Sequence, residues 1–142
     1  MIYHTTDGSP CYGDDTPYGT FNDLGSAVER AVRTVEDRVH EFDVIVVQGI
    51  SGMSIGFPLA LKIDKPIAVV RKPSDDNHCG SDLVTGIGAD DRGTRLTGKS
   101  CLFVDDFVSM GVTRNRVRTA VEAEGGTVVA QYMSREDDML LL

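Results

Sequence analysis

The chain has 142 residues, a net charge of −8, 41% hydrophobic and 25% charged residues. That length suits one domain, 1–142, with a single sizeable core, and the acidic balance disfavours polyanionic partners, so neither nucleic acid nor an anionic membrane surface is expected to bind. No apolar run approaches the roughly 18–20 residues of a membrane span, and residues 1–10 lack the basic-then-apolar pattern of a signal peptide. Three widely spaced cysteines, Cys11, Cys79 and Cys101, argue against a disulfide framework and for a reducing cytoplasm.

Residues 1–20, rich in Gly, Asp, Pro, Thr and Tyr, read as an irregular arm. From Phe21 the pattern turns helical: Leu24, Val28, Ala31, Val32, Val35 and Val39 recur at steps of three and four, with Asn22 or Asp23 able to cap the start. The β-branched run at 42–47 reads as a buried parallel strand. Residues 48–52 then read as a turn and 53–63 as a helix, whose first turns Gly56 and Pro58 weaken. Residues 66–70 predict a second strand, ending in Arg71 and Lys72. Residues 73–98 are long, polar and glycine-rich, with a short hairpin expected around 83–87. Such a loop in a compact domain is usually functional.

Residues 100–104 predict the next strand, 112–123 a helix with Val117, Ala120 and Val121 facing inward, and Gly125-Gly126 its C-terminal stop. A last strand is expected over 127–133, followed by a tail, 134–142, that is acidic and then apolar. The order strand, helix, strand, loop, strand, helix, strand predicts an α/β fold: an open, mostly parallel sheet flanked by helices.

Two motifs compete for a phosphate. Gly93 to Ser100 fits G-x-x-x-x-G-K-[ST], but a phosphate-binding loop of that kind follows a strand and opens a helix. Here Lys99 runs directly into an apolar strand, so the segment reads as a turn with Lys99 exposed. The other motif is stronger. Cys101-Leu102-Phe103-Val104 leads into Asp105 and Asp106, then into Phe107-Val108-Ser109-Met110-Gly111-Val112-Thr113 and a helix. The strand would bring both acids to its C-terminal end, where open α/β sheets hold their ligands. The loop and the helix N-terminus would offer backbone N–H groups to a phosphate. Carboxylates for hydroxyls beside amides for a phosphate suit a phosphorylated sugar. Acids before a helix also act as plain caps, but capping alone does not account for two in succession followed by this loop.

These residues resemble the signature of the type I phosphoribosyltransferases: an apolar strand, two acids, two aliphatic residues, and a loop of the Thr-Gly-Gly-Thr type. Gly111 and Thr113 match that loop, whereas Met110 stands for the usual Thr and Val112 for the second Gly. The resemblance spans about residues 42–133 and implies a Rossmann-like fold with a minimal hood. It implies that Asp105 and Asp106 hold the ribose hydroxyls of phosphoribosyl diphosphate and that Ser109, Met110, Gly111, Val112 and Thr113 wrap its 5′-phosphate. Ser51 and Gly52, in the turn after the first core strand, and the cations Arg71 and Lys72 would meet the diphosphate. Residues 73–98 would be the flexible loop that closes the site, bringing Arg92 and Arg95 within reach.

The activity so implied is transfer of the phosphoribosyl group to a nitrogenous base with release of diphosphate. Mg²⁺ would be held mainly through the substrate, with Asp105 and Asp106 its nearest protein groups. Ser109, standing where 6-oxopurine members carry a basic aspartate, counts against a hypoxanthine–guanine enzyme. Tyr3, Tyr12, Tyr18 or the tail Met139 to Leu142 are candidates to hold the base, across a homodimer if one forms. Two alternatives stay open: a non-catalytic regulator binding phosphoribosyl diphosphate or a nucleotide in the same fold, and an interaction protein dimerising through Met139 to Leu142. His78 beside Cys79 reads as a loop pair without partners at metal-ligand spacing, and His4 and His40 as surface residues.

Overall fold

A computed structural model describes residues 21–71, 83–87, 96–106 and 111–142. They form a six-stranded sheet flanked by three α-helices. In chain order these are α1 (Phe21–Val35), β1 (Val44–Val47), α2 (Gly49–Ile63), β2 (Ile67–Val70), β3 (Leu83–Ile87), β4 (Ser100–Asp105), α3 (Val112–Ala123), β5 (Thr127–Met133) and β6 (Asp138–Leu141). The sheet order is β3-β2-β1-β4-β5-β6. The four central strands are mutually parallel, and β3 and β6 run antiparallel at the edges. The mostly parallel α/β sheet expected from the sequence is therefore present. Among the described residues no helix is long and apolar enough to cross a membrane.

Strand alternation divides the core in two. Ile45, Val47, Leu102 and Val104 face α1 and α2, meeting Ala31, Val35, Ile55 and Leu59. Val44, Val46, Cys101 and Phe103 face the other way, toward Val117 and Val121 of α3. Each such large apolar side chain contributes roughly 1.5–3 kcal/mol through burial. A bulge adjusts β5: Cys101 pairs with Val128 but Leu102 with Ala130, so Val129 is the extra residue. The shift puts Ala130 and fully buried Tyr132 against α1 and α2 while leaving Val128 toward α3.

Several boundaries differ from the sequence reading. The first helix stops at Val35 and continues as a 3₁₀ segment, Glu36–Glu41, so Val39 lies outside the α-helix. The first strand begins at Val44, with Phe42 packed into the core just before it. Residues 48–52 are not a separate turn: α2 starts at Gly49, directly after extended Gln48. Pro58 is accommodated inside α2. Segment 73–98 is not one loop, because β3 pairs antiparallel with β2 and a turn at residues 97–98 leads into β4. The expected hairpin at 83–87 is thus the partner of β2.

The tail is the largest correction. Expected only as an end that is acidic, then apolar, and able to hold a base, it forms β6 on β5. Met139 is buried against the α1 side of the core, which removes it as a base contact. Arg38 Nη1 donates to Met139 O at 2.8 Å, and Thr34 Oγ1 and Tyr132 OH both donate to Asp137 Oδ1, at 2.8 and 2.7 Å. The arm 1–20, and with it Tyr3, Tyr12 and Tyr18, lies outside the described residues.

Candidate active site

The chain leaves β1 through α2 toward β2 on one side, and leaves β4 through α3 toward β5 on the other. Neighbouring strands β1 and β4 therefore mark the point where the winding reverses, and the crevice outside their C-terminal ends is where such sheets bind ligands. Asp105, the last residue of β4, and Asp106 stand there, buried to 6% and 8% exposure.

Two helix N-termini flank the acids. Neither α2 nor α3 receives a side-chain cap, so the N–H groups of their first turns are free of intrahelical partners. Gly111 precedes α3 at φ 73°, a left-handed conformation that suits glycine. A close approach brings α2 in: a Cβ on Gly52 would stand 2.9 Å from Val104 O and 3.7 Å from Asp105 Oδ1. Ser51, one residue earlier, donates from Oγ to Asp105 Oδ1 at 3.4 Å.

Asp105 Oδ1 also accepts the N–H of Asp106 at 2.9 Å. Even so, burial raises the Asp105 carboxyl from 3.8 to about 7, and the hydrogen bond and charge of Asp106 push the same way. The Asp106 N–H and Ser51 oppose the rise in part. A cation brought beside such a carboxyl favours its charged form. Ser134 N donates to Asp105 O at 3.0 Å and Arg135 N to Asp106 O at 2.9 Å, so the turn after β5 holds the acidic pair from behind.

The residues singled out by sequence fall as follows. Asp105, Asp106, Ser51, Gly52, Gly111, Val112 and Thr113 share the C-terminal edge of β1 and β4. Arg71 follows β2 on that same edge, and its carbonyl accepts Gln48 Nε2 at 3.2 Å. Lys72, Ser109, Met110, Arg92, Arg95, His78, Cys79 and His4 lie outside the described residues. The rejected phosphate motif ends as anticipated: Lys99 is exposed and Ser100 opens a strand, not a helix. Sequence reasoning missed Gln48, buried at 3% between the ends of β1 and β2, and the Ser134–Arg135 turn. A polar residue closing an apolar strand was the available signal for Gln48. The turn had none, since its contact spans about thirty residues of chain.

Together these features define a doubly wound α/β domain with a buried acidic pair set between two open helix N-termini. No family model matches the chain. It is 30% identical to orotate phosphoribosyltransferase of Halorhodospira halophila over 132 residues, 83% of this chain and 57% of that protein. It is also 30% identical to the orotate enzyme of Erythrobacter litoralis over 92 residues, 64% of this chain and 42% of that protein. The chain thus spans about half the length of these curated relatives. Among solved structures, adenine phosphoribosyltransferase from Thermoanaerobacter pseudethanolicus superposes with TM-score 0.67 at 21% identity, covering 94% of this chain and 81% of that one. Orotate phosphoribosyltransferase from Aeropyrum pernix gives 0.64 at 18%, covering 93% and 71%. The domain has the type I phosphoribosyltransferase fold, as its acidic motif led one to expect.

Proposed function

We propose that this domain transfers the phosphoribosyl group of phosphoribosyl diphosphate to a nitrogenous base, releasing diphosphate. The observation that carries the reading is the placement of Asp105 and Asp106 at the winding reversal between two uncapped helix N-termini. The sequence relatives are phosphoribosyltransferases, which supports the reaction class.

In this reading the carboxylates of Asp105 and Asp106 accept the ribose hydroxyls and favour positive charge developing at the sugar. The N-terminus of α3, with Gly111, Val112 and Thr113, takes the 5′-phosphate, and Ser109 and Met110 belong to the same loop. The first turn of α2, with Ser51 and Gly52, takes the diphosphate, assisted by Arg71 and Lys72. Gln48 holds the Arg71 backbone in place. The tight seat of α2 on Val104 fixes the distance between the diphosphate and ribose ends of the substrate, so the reacting bond is oriented before reaction.

Mg²⁺ fits this donor set. Among the described residues no group of three or more metal-ligating side chains forms a cage, and Mg²⁺ characteristically uses one or two carboxylates together with substrate oxygens. Asp105 and Asp106 would be its protein neighbours, and bound Mg²⁺ would supply charge neutralisation for the departing diphosphate. A homodimer and a cytoplasmic setting complete the proposal. Leu140 and Leu141 on edge strand β6, 45% and 63% exposed, and Leu142 just beyond it, 47% exposed, are an apolar strip for such a dimer to cover.

The test is calorimetric titration of phosphoribosyl diphosphate with Mg²⁺ into wild type and Asp105→Asn/Asp106→Asn. Turnover follows as diphosphate release with orotate and adenine, the bases named for the relatives and structural neighbours. Binding lost in the double variant supports the donor site, and release with either base supports the transferase. Binding without release under any base would select the regulatory alternative. Absence of binding by wild type overturns the proposal.

A further inference from the structure

We propose that Arg114 is an additional donor-binding residue, its guanidinium completing the 5′-phosphate site at the start of α3; this rests on the donor reading above. Arg114 is the third residue of α3. A cation there is opposed by the helix dipole, and the usual response is to extend into water. Arg114 does the reverse. Its side chain folds back toward the sheet, where Nη1 donates to Gln131 Oε1 at 3.3 Å. Nη2 lies 3.4 Å from the point a Cβ on Gly111 would occupy, alongside the residue that opens the helix.

Among the described residues the arrangement lacks a counter-charge. Among them, too, Nε is buried without a hydrogen-bond partner. Gln131, itself 6% exposed, is neutral. Among the described residues Arg114 makes no ion pair with a carboxylate. A buried donor left unpaired is costly, and an uncompensated charge held in a half-buried place is costlier still. An anion at the N-terminus of α3 changes each of these terms: the helix N–H groups, the dipole and the guanidinium all then face negative charge. Gly111 and Val112 bring no polar side-chain atom to that position, so Arg114 is the cationic side chain that the first turn of α3 supplies. A phosphomonoester dianion is the ligand chemistry that answers all of these donors.

Two variants and two probes test this. Ribose 5-phosphate carries the phosphate in question, whereas Mg²⁺-diphosphate should occupy the α2 side. Arg114→Gln is expected to weaken ribose 5-phosphate binding tenfold or more and to leave Mg²⁺-diphosphate binding within twofold. Gln131→Glu gives the guanidinium an internal partner, so it should raise the melting temperature while also weakening ribose 5-phosphate. If Arg114→Gln is unfolded by circular dichroism, Gln131→Glu decides alone. Unchanged ribose 5-phosphate affinity in the folded variants overturns the role of Arg114 and leaves the donor site standing. Wild type that binds neither ribose 5-phosphate nor phosphoribosyl diphosphate overturns both.

Discussion

Arg135 holds Asp106 through two atoms at once: its backbone N–H donates to Asp106 O at 2.9 Å, and its Nε stands 4.0 Å from Asp106 Oδ2. The turn between β5 and β6 thereby reaches the carboxylate that β4 delivers. Arg135→Ala keeps the backbone bond and removes only the guanidinium. We expect phosphoribosyl diphosphate affinity to fall several-fold, through looser positioning of Asp106, while stability changes by less than about 1 kcal/mol, as for other partly exposed ion pairs. Calorimetry and thermal unfolding of the same variant separate the two effects.

Asp105 should place function against stability. Its folded value near 7 lies above the unfolded one of 3.8, so between them the native state keeps a proton that the unfolded state has lost. Stability contributed by this group is therefore full below about pH 4, falls as pH rises through 7, and is absent above it. Asp105→Asn keeps the Oδ1 acceptor for the Asp106 N–H and the Ser51 hydroxyl. The variant is expected to be more stable than wild type at pH 8, by on the order of 1 kcal/mol, and inactive. Thermal melts across pH 4 to 8 check the sign; a variant less stable at pH 8 contradicts it.

The same protonation governs ligand binding. The carboxylate form accepts ribose hydroxyls and Mg²⁺, so affinity for Mg²⁺-phosphoribosyl diphosphate should rise with pH up to about 7 and then level. Binding below that pH should release a proton. Titrations in buffers of different ionisation enthalpy measure that release directly.

Gly52→Ala tests the seat of α2. The added methyl would meet Val104 O at 2.9 Å, and that backbone atom cannot rotate away. A shift of α2 should cost roughly 1–3 kcal/mol and break the Ser51–Asp105 contact, lowering donor affinity as well. Gly25→Ala, where nothing lies within 4 Å of the new methyl, is the control: it should leave donor affinity unchanged and, inside α1, raise stability by roughly 0.5–1 kcal/mol.

Cys101 is fully buried, and burial, with the nearby charge of Asp43, pushes its thiol up to about 12. It should resist alkylation at pH 8 in the native state and react only on unfolding, as peptide mapping after iodoacetamide would show.

Much of this protein was legible along the chain because the signals are local. The continuous apolar runs of β1 and β4, the spacing of Val117 and Val121, and the Gly125 stop each depend on residues within one or two turns. The acids followed by a small loop also form a contiguous motif, which is why their place at the end of β4 could be anticipated. The misread elements depended on partners distant in sequence. Residues 134–142 show no strand pattern of their own, and become β6 because β5 offers an open edge and because Arg38, Thr34 and Tyr132 anchor the turn and strand. Residues 49–52 look like a turn, and become helix because Gly52 can seat against Val104.

The sequence by itself determined the α/β class, the mostly parallel sheet and the acidic pair at a strand end, all consequences of hydrophobic period and adjacency. Only the tertiary structure decided that Ser51 and Arg135 contact that pair, that Gln48 holds the end of β2 and Arg114 the start of α3 beside it, and that Asp105 sits near neutrality. Those are properties of distance and of exclusion from water, which arise when the sheet brings β1, β4 and β5 side by side.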